Sequence, residues 1–393
     1  MTGAGDRALL PAGLQDLLAP AAAHEAATVE RLIAGFAAFG YERVKPPLLE
    51  FEEALLTGAG AAVAQQTFRL MDPVSQRMMA LRADITPQVA RIAATRLAKA
   101  PRPLRLCYGG QVLRIKGTQL RPERQFGQAG AELIGAPEPQ ADAEVVVLAA
   151  EALTGVGVGK LSVDLTQPTL VGTVARGLGY EDARIDALRQ RLDRKDAAGV
   201  AELAGDDSRL FLDLLDAAGP AAAALTALAK LALPEAAQAE VAQLARVVEL
   251  VRSASPDLTI TVDPVEHRGF EYQTGVSFTL FARDVRGELG RGGRYVSERP
   301  DYGNKFSNGG ESSTGFTLYM DTIMRALPEA ARPRRVYLPA GCPTAEGLRL
   351  RSEGWVTLAG FAEVDPESEA RRLGCSHLWR DGTIEHLEDG QGD

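Results

Sequence analysis

LRLCYGGQVLRIKGTQLRPERQFGQAGAELIG, residues 104–135, decides how this chain folds. LRLCYGGQVLR (104–114) and ERQFGQAGAELIG (123–135) each read as a strand, and the polar, proline-bearing IKGTQLRP (115–122) between them reads as a loop. Two strands of this length joined by one short connection form an antiparallel hairpin. In the second strand Phe126, Gln128 and Gly130 alternate toward Glu132, so a period of two places all four on one face. A sheet built on this hairpin is antiparallel or mixed.

Upstream, TFRLMDPVSQRMMALRA (67–83) reads as two short strands around the turn signal Asp72-Pro73. It runs into LRADITPQVARI (81–92), where Thr86 suits a helix N-cap and Pro87 the first helical position, whose missing N–H is not needed. Asp84 therefore sits at a strand-to-helix junction, and a capping interaction alone would account for it. Further upstream, Val29, Leu32, Ile33 and Phe36 recur at helical spacing and predict an amphipathic helix over about 20–39. YERVKPPLLEF (41–51) follows as an extended segment, because Pro46 and Pro47 exclude helix.

Downstream, residues 141–153 read as a helix and KLSVDL (160–165) as a strand. A helical insertion is expected over 178–254, with Val241, Leu244, Val247, Val248 and Val251 on one stripe. Strand character resumes in VEHRGFEYQTGVSFTLFARD (265–284), followed by GELGRGGRY (287–295), the loop DYGNKFSNGGESS (301–313) and the helix-like MDTIMRAL (320–327). After Pro333 the chain alternates strand and helix in a small α/β unit. The expected organisation is an α+β core over 1–325 containing the insertion, and a small domain over 332–393.

The 393 residues are 46% hydrophobic and 24% charged, ordinary values for a globular chain with a sizeable core. A net charge of -9 argues against a broad nucleic-acid-binding face. No signal peptide or membrane span is recognisable, so a cytoplasmic location is expected. Cys107, Cys342 and Cys375 are odd in number and far apart, which fits reduced thiols. Cys375 and His377 lie two apart, but no second ligand pair has a usable spacing, so no metal and no cofactor are expected.

Other motifs lose to plainer readings. TGVGVGKL (154–161) lacks the upstream glycine of a phosphate loop and carries Leu161 where Ser or Thr is needed, so it reads as a turn into a strand. Asp206-Asp207 has no apolar strand before it and reads as a solvated turn. Asp263, His267 and Asp84 make no nucleophilic triad, and no GxSxG elbow occurs. What remains are polar residues in strand-like segments: Arg114, Gln128, Glu132 and Arg268, with Asp84 and Tyr272.

Their order resembles a known pattern. YERVKPPLLEF, MMALRADITPQ, LRIKGTQLRPERQFGQAGAE, HRGFEYQTG and GRGGRY together resemble the catalytic core of the histidyl-tRNA synthetases, class II aminoacyl-tRNA synthetases, over about 10–325. The first segment resembles the dimer-forming motif 1, the third the motif 2 hairpin, and RGFEY (268–272) a signature of the histidyl enzymes. The resemblance implies an antiparallel sheet flanked by helices and a pocket for free histidine. Asp84 would hold the α-amino group with Thr86 and Gln128 beside it, Arg268 would meet the carboxylate, and Glu132 and Tyr272 would face the imidazole. Gln273 stands where the family has a second tyrosine. A zwitterion needs an acid at one end and a guanidinium at the other, which this set supplies.

The departures from the synthetases concern ATP and tRNA. Arg114 matches the motif 2 arginine that meets ATP, but Thr322 replaces the motif 3 arginine, Tyr319 replaces a small glycine, and Lys116 replaces an acid. A threonine cannot make a bidentate phosphate contact. Only 60 residues follow Pro333, too few for the family's anticodon-binding domain. A synthetase core that keeps the histidine pocket without the ATP apparatus resembles the ATP phosphoribosyltransferase regulatory subunits, of which LRADITPQVAR is characteristic. That likeness implies a non-catalytic subunit with Asp84, Thr86, Arg114, Gln128, Glu132, Arg268 and Tyr272 as its allosteric histidine site. It would dimerise through the core, activate a short catalytic subunit in the first step of histidine biosynthesis, and confer feedback inhibition by histidine, with no tRNA and no membrane as partners. The alternatives are an active histidyl-tRNA synthetase or amino-acid-activating paralogue, and a free-standing histidine sensor or RNA-binding adaptor.

Overall fold

The computed structural model describes residues 9–56, 58–118, 121–267, 269, 272–297, 310–329 and 333–387. Two compact units divide the chain, Met1–Pro328 and Glu329–Asp393.

The first unit is organised around a nine-stranded sheet. Its strands are β1 (Glu42–Arg43), β5 (Leu104–Leu113), β6 (Gln125–Ile134), β7 (Leu161–Thr166), β8 (Gly219–Pro220), β9 (Thr259–Val262), β10 (Gln273–Ala282), β11 (Gly290–Ser297) and β12 (Glu311–Tyr319). The spatial order is β1-β5-β6-β12-β11-β10-β7-β9-β8. The six central strands pair antiparallel throughout, and parallel pairing is confined to β1 with β5 and β7 with β9. The long hairpin is β5 and β6, registered from Leu104 opposite Ile134 to Leu113 opposite Gln125. β2 (Leu49–Phe51), β3 (Arg69–Met71) and β4 (Met78–Leu81) form a separate three-stranded sheet in the order β2-β4-β3.

One face of the large sheet carries the main core. Leu32, Ile33 and Phe36 from the helix Ala21–Ala38 pack there with Val145, Leu148 and Leu153 from the helix Pro139–Val156. The helical segment packs into the same cluster through Ile185, Leu188, Phe211, Leu244 and Val248. Its helices begin at Leu170, earlier than the spacing suggests, because Leu170, Val171 and Val174 bury an apolar stripe immediately after β7. The opposite face is covered by the helix Thr86–Thr95, whose Ile85, Val89 and Ala93 pack on Leu106, Tyr108 and Phe126. The strand period of two thus separates an apolar face from one carrying polar groups.

The start of that helix differs from expectation. Ile85, not Thr86, occupies the N-cap position, and Thr86 is already helical. The Asp84 carboxylate accepts the Thr86 N–H at 2.9 Å and does the capping, leaving the Thr86 hydroxyl free to bond elsewhere.

The second unit has a four-stranded sheet in the order β14-β13-β15-β16, with β13 (Arg335–Leu338), β14 (Val356–Ala359), β15 (His377–Arg380) and β16 (Thr383–His386). Tyr337, Ala370 and Leu378 form one apolar layer and Val336, Leu338 and Leu350 another. Among the described residues no helix is long and apolar enough to cross a membrane, and no group of three or more His, Cys, Asp or Glu is placed to hold a metal ion.

Candidate functional site

The polar face of β6 meets the start of the helix Thr86–Thr95, and the site is assembled there. Gln128 is completely buried, and its side-chain amide uses both ends: Nε2 donates to Asp84 Oδ2 at 3.3 Å and Oε1 accepts the Ile85 N–H at 3.2 Å. Four residues along β6 is two repeats of the strand period, so Glu132 points the same way. The Thr86 hydroxyl donates to Glu132 Oε1 at 2.8 Å, and the Tyr295 hydroxyl donates to Glu132 Oε2 at 2.9 Å. Asp84, Thr86, Gln128 and Glu132, distant in sequence, are joined in one hydrogen-bonded network. Burial pushes the Glu132 carboxyl up to about 8, against the hydroxyl donors that favour its ionised form.

Two glycines make this network possible. A Cβ on Gly315 would lie 2.0 Å from Glu132 Oε2, and one on Gly130 would lie 2.4 Å from the Tyr108 hydroxyl. Without side chains there, Glu132 can lie over Gly315 of β12 and Tyr108 can reach across to Thr317, 2.8 Å between oxygens, and to Thr86, 3.2 Å.

Arg114 approaches from the end of β5. Its Nε donates to the Ala83 carbonyl at 3.4 Å, and its guanidinium lies 5.0 Å from the Phe126 ring centre. Tyr272 enters from the segment before β10, its ring edge-on to Tyr295 at 6.2 Å, and burial raises its hydroxyl pKa. Arg268 lies outside the described residues. Its neighbour Gly269 offers its carbonyl to Arg291 Nη1 at 3.2 Å. Gln273 is buried and stands opposite Tyr295 in the β10–β11 register.

Sequence reasoning passed over Tyr108, Tyr295 and Thr317. Tyr295 had a readable signal, since it closes the quoted GRGGRY segment; Tyr108 and Thr317 oppose Gly130 from the two neighbouring strands, which only the structure shows. Choosing them needed the register between strands, which the sequence alone does not number.

The neighbouring region is arranged differently. Tyr319 is buried, and the Arg121 guanidinium lies 3.9 Å from its ring centre. Phe126 meets the same ring edge-on at 6.1 Å. Arg121 Nε donates to Asp321 Oδ2 at 2.9 Å, with both side chains about nine-tenths buried. Thr322 is buried and accepts a hydrogen bond from Arg325 at 3.0 Å. The Arg121 guanidinium is thus committed to an internal carboxylate and an aromatic face.

Comparison with known proteins gives the chain's family and fold. A family model described as Histidyl-tRNA synthetase matches residues 13–323. The ATP phosphoribosyltransferase regulatory subunit of Rhodospirillum centenum is 58% identical, with 97% of each chain covered. That of Paramagnetospirillum magneticum is 56% identical over 98% of this chain and 100% of its own. Among solved structures, an ATP phosphoribosyltransferase regulatory subunit/histidyl-tRNA synthetase from Bacillus halodurans superposes with a TM-score of 0.79 at 25% identity, covering 93% of this chain and 96% of that one. A Nostoc histidyl-tRNA synthetase shares the fold, with a TM-score of 0.78 at 17% identity over 94% of this chain and 90% of its own. This chain belongs to the ATP phosphoribosyltransferase regulatory subunits, a family built on the class II histidyl-tRNA synthetase fold.

Proposed function

We infer that this chain binds free histidine in the network of Asp84, Thr86, Gln128 and Glu132 and, as a non-catalytic partner, activates a short phosphoribosyltransferase chain and imposes feedback inhibition on it. The observation that carries the reading is the contrast between two adjacent corners. At one, Asp84 and Glu132 present acids between hydroxyl and amide donors, with Arg114 and Tyr272 at the margin. At the other, Tyr319 fills space and Arg121 is already paired.

The chemistry supports each role. The Asp84 carboxylate suits an ammonium group, and the Arg268 guanidinium suits the opposite carboxylate. Glu132, whose carboxyl burial pushes up to about 8, can accept from or donate to an imidazole nitrogen. Amino-acid activation would need cations around a triphosphate, and Thr322 and Arg121 cannot supply them in this arrangement. Feedback control then requires histidine to bind the inhibited assembly more tightly than the active one.

The decisive experiment mixes the purified chain with a short catalytic phosphoribosyltransferase chain and measures phosphoribosyl transfer with and without histidine. Activation by this chain and its reversal by histidine are expected. Asp84→Ala and Arg268→Ala should weaken the inhibition while largely sparing the activation. No activation, or histidine-dependent pyrophosphate exchange by this chain alone, would overturn the reading.

A further inference from the structure

The second unit carries a sheet edge without the usual safeguards. β14 stands at one end of the order β14-β13-β15-β16, and among the described residues no strand pairs with its outer side. The Val356 N–H donates to the Arg334 carbonyl at 3.0 Å, and the Gly360 N–H to the Leu338 carbonyl at 2.7 Å. Peptide groups alternate in direction along a strand, so Thr357 and Ala359 turn their N–H and C=O groups away from β13.

Natural sheet edges are blunted by brevity, proline or charge. The large sheet of the first unit follows that rule: β1 and β8 are two residues each, and β8 contains Pro220. At the other edge of the small sheet, β16 carries exposed Glu385 and His386. The stretch WVTLAGF (355–361) around β14 has neither a charge nor a proline. Val356 in the strand and Phe361 and Val364 beyond it are exposed, Phe361 at 99%.

Charge is separated along the same edge. At its start the Arg334 guanidinium lies 4.7 Å from the Trp355 ring centre, Arg335 stands opposite Val356, and Arg351 Nη1 donates to Thr357 Oγ1 at 2.8 Å. Past its end Glu363 and Asp365 are exposed, and Asp365 caps the helix Pro366–Arg372 by accepting the Ser368 N–H. Among the described residues no ion pair engages any of these five side chains, although the neighbouring helices pair Arg349, Arg371 and Arg372 with their own glutamates.

We propose that β14 is a docking edge for β14 of a second copy of this chain, the two strands pairing antiparallel about a two-fold axis. A parallel pairing would set like charges together. The antiparallel one brings the Glu363 and Asp365 end of each copy to the Arg334, Arg335 and Arg351 end of the other, twice by symmetry. It also gives the outward peptide groups of Thr357 and Ala359 their partners, covers the apolar side chains and joins the two small sheets into one.

The test uses the full chain. Thr357→Cys, in a chain carrying Cys342→Ser, should give covalent dimers with a short bismaleimide, which reads this contact whatever others the chain makes. Ala359→Pro removes an outward N–H, spares the bonds to β13 and should abolish those dimers. Arg351→Glu and Glu363→Arg should each weaken the association by about tenfold at low salt, followed by sedimentation, and the two together should restore it. No covalent dimer, or dimers that survive Ala359→Pro and both single charge exchanges, would overturn the self-pairing. A chain that forms no such dimer yet loses activation of the catalytic subunit on Ala359→Pro would assign the edge to that subunit, and the proposal would fall.

Discussion

Two adjacent corners of the same sheet hold charged side chains in opposite ways. Around Glu132 the hydrogen bonds run through two acids, hydroxyls and the Gln128 amide. Around Tyr319 the charges cancel internally, because Arg121 is bonded to Asp321 and stacked on the ring. The proposed function gives the first corner a cationic ligand group; the second pairs its own charges. A ligand site must hold unsatisfied capacity, whereas a structural ion pair must not.

The strongest way to break this comparison is Arg121→Ala. It strips Asp321 of its buried partner, and a loss of about 3–5 kcal/mol in urea unfolding is expected. Histidine affinity in the folded fraction should stay within about twofold, since Arg121 is not joined to the Glu132 network by a hydrogen bond. A large loss of affinity with unchanged stability would show that the two corners share one function.

Asp84→Ala acts on the other corner. On the proposed reading it removes a charge-assisted contact to the ligand ammonium, and it should weaken histidine binding by roughly 10- to 100-fold, read by calorimetry. Part of the cost falls on the fold, because Gln128 and the Thr86 N–H lose an acceptor.

The pH dependence sharpens the contrast. Glu132 is raised in the folded chain to about 8 from an ordinary 4.5, so the folded state holds a proton that the unfolded state has released between those values. Its contribution to stability is fully present below about 4.5 and is lost as pH rises through about 8. Urea midpoints of the wild type should fall relative to Glu132→Gln across this window, by on the order of 1–2 kcal/mol. Parallel curves for the two chains would place the proton elsewhere.

The smallest expected effect concerns Gln273. It is buried opposite Tyr295, and its Oε1 has no hydrogen-bond partner among the described residues. Replacing an amide whose buried oxygen lacks a partner by a thioether of similar shape costs little, so Gln273→Met should change ligand-free stability by no more than about 1 kcal/mol. A simultaneous drop in histidine affinity would show that the amide serves the ligand; unchanged affinity would reduce it to a packing residue.

Much of the fold was legible because its signals are local. The hairpin of β5 and β6 follows from alternation on both sides of a polar, proline-bearing loop, and the helix Ala21–Ala38 from the spacing of Leu32, Ile33 and Phe36. Asp84, Gln128 and Glu132 came forward as polar residues near or in strand-like segments, and Thr86 through the resemblance to the histidyl-tRNA synthetases. The cap at Thr86 was misread for a physical reason: a threonine hydroxyl can satisfy a helix N-terminus or a distant carboxylate, and only the position of Glu132 decides which.

What the sequence by itself determined is the long hairpin and the faces along its strands, since period is a property of short stretches; β9 and β12 carried no reading as strands, and Glu311–Ser313, expected in a loop, open β12. Tertiary structure alone decided the register that sets Tyr108 and Thr317 opposite Gly130, the pairing of Tyr295 with Glu132, and the enclosure of Tyr319 by Arg121. It also decided that Asp193, in a helix of the insertion, reaches His267 across 74 positions. Such contacts join residues far apart in the chain, and they depend on how strands align and how much space a missing Cβ leaves, which no local pattern encodes.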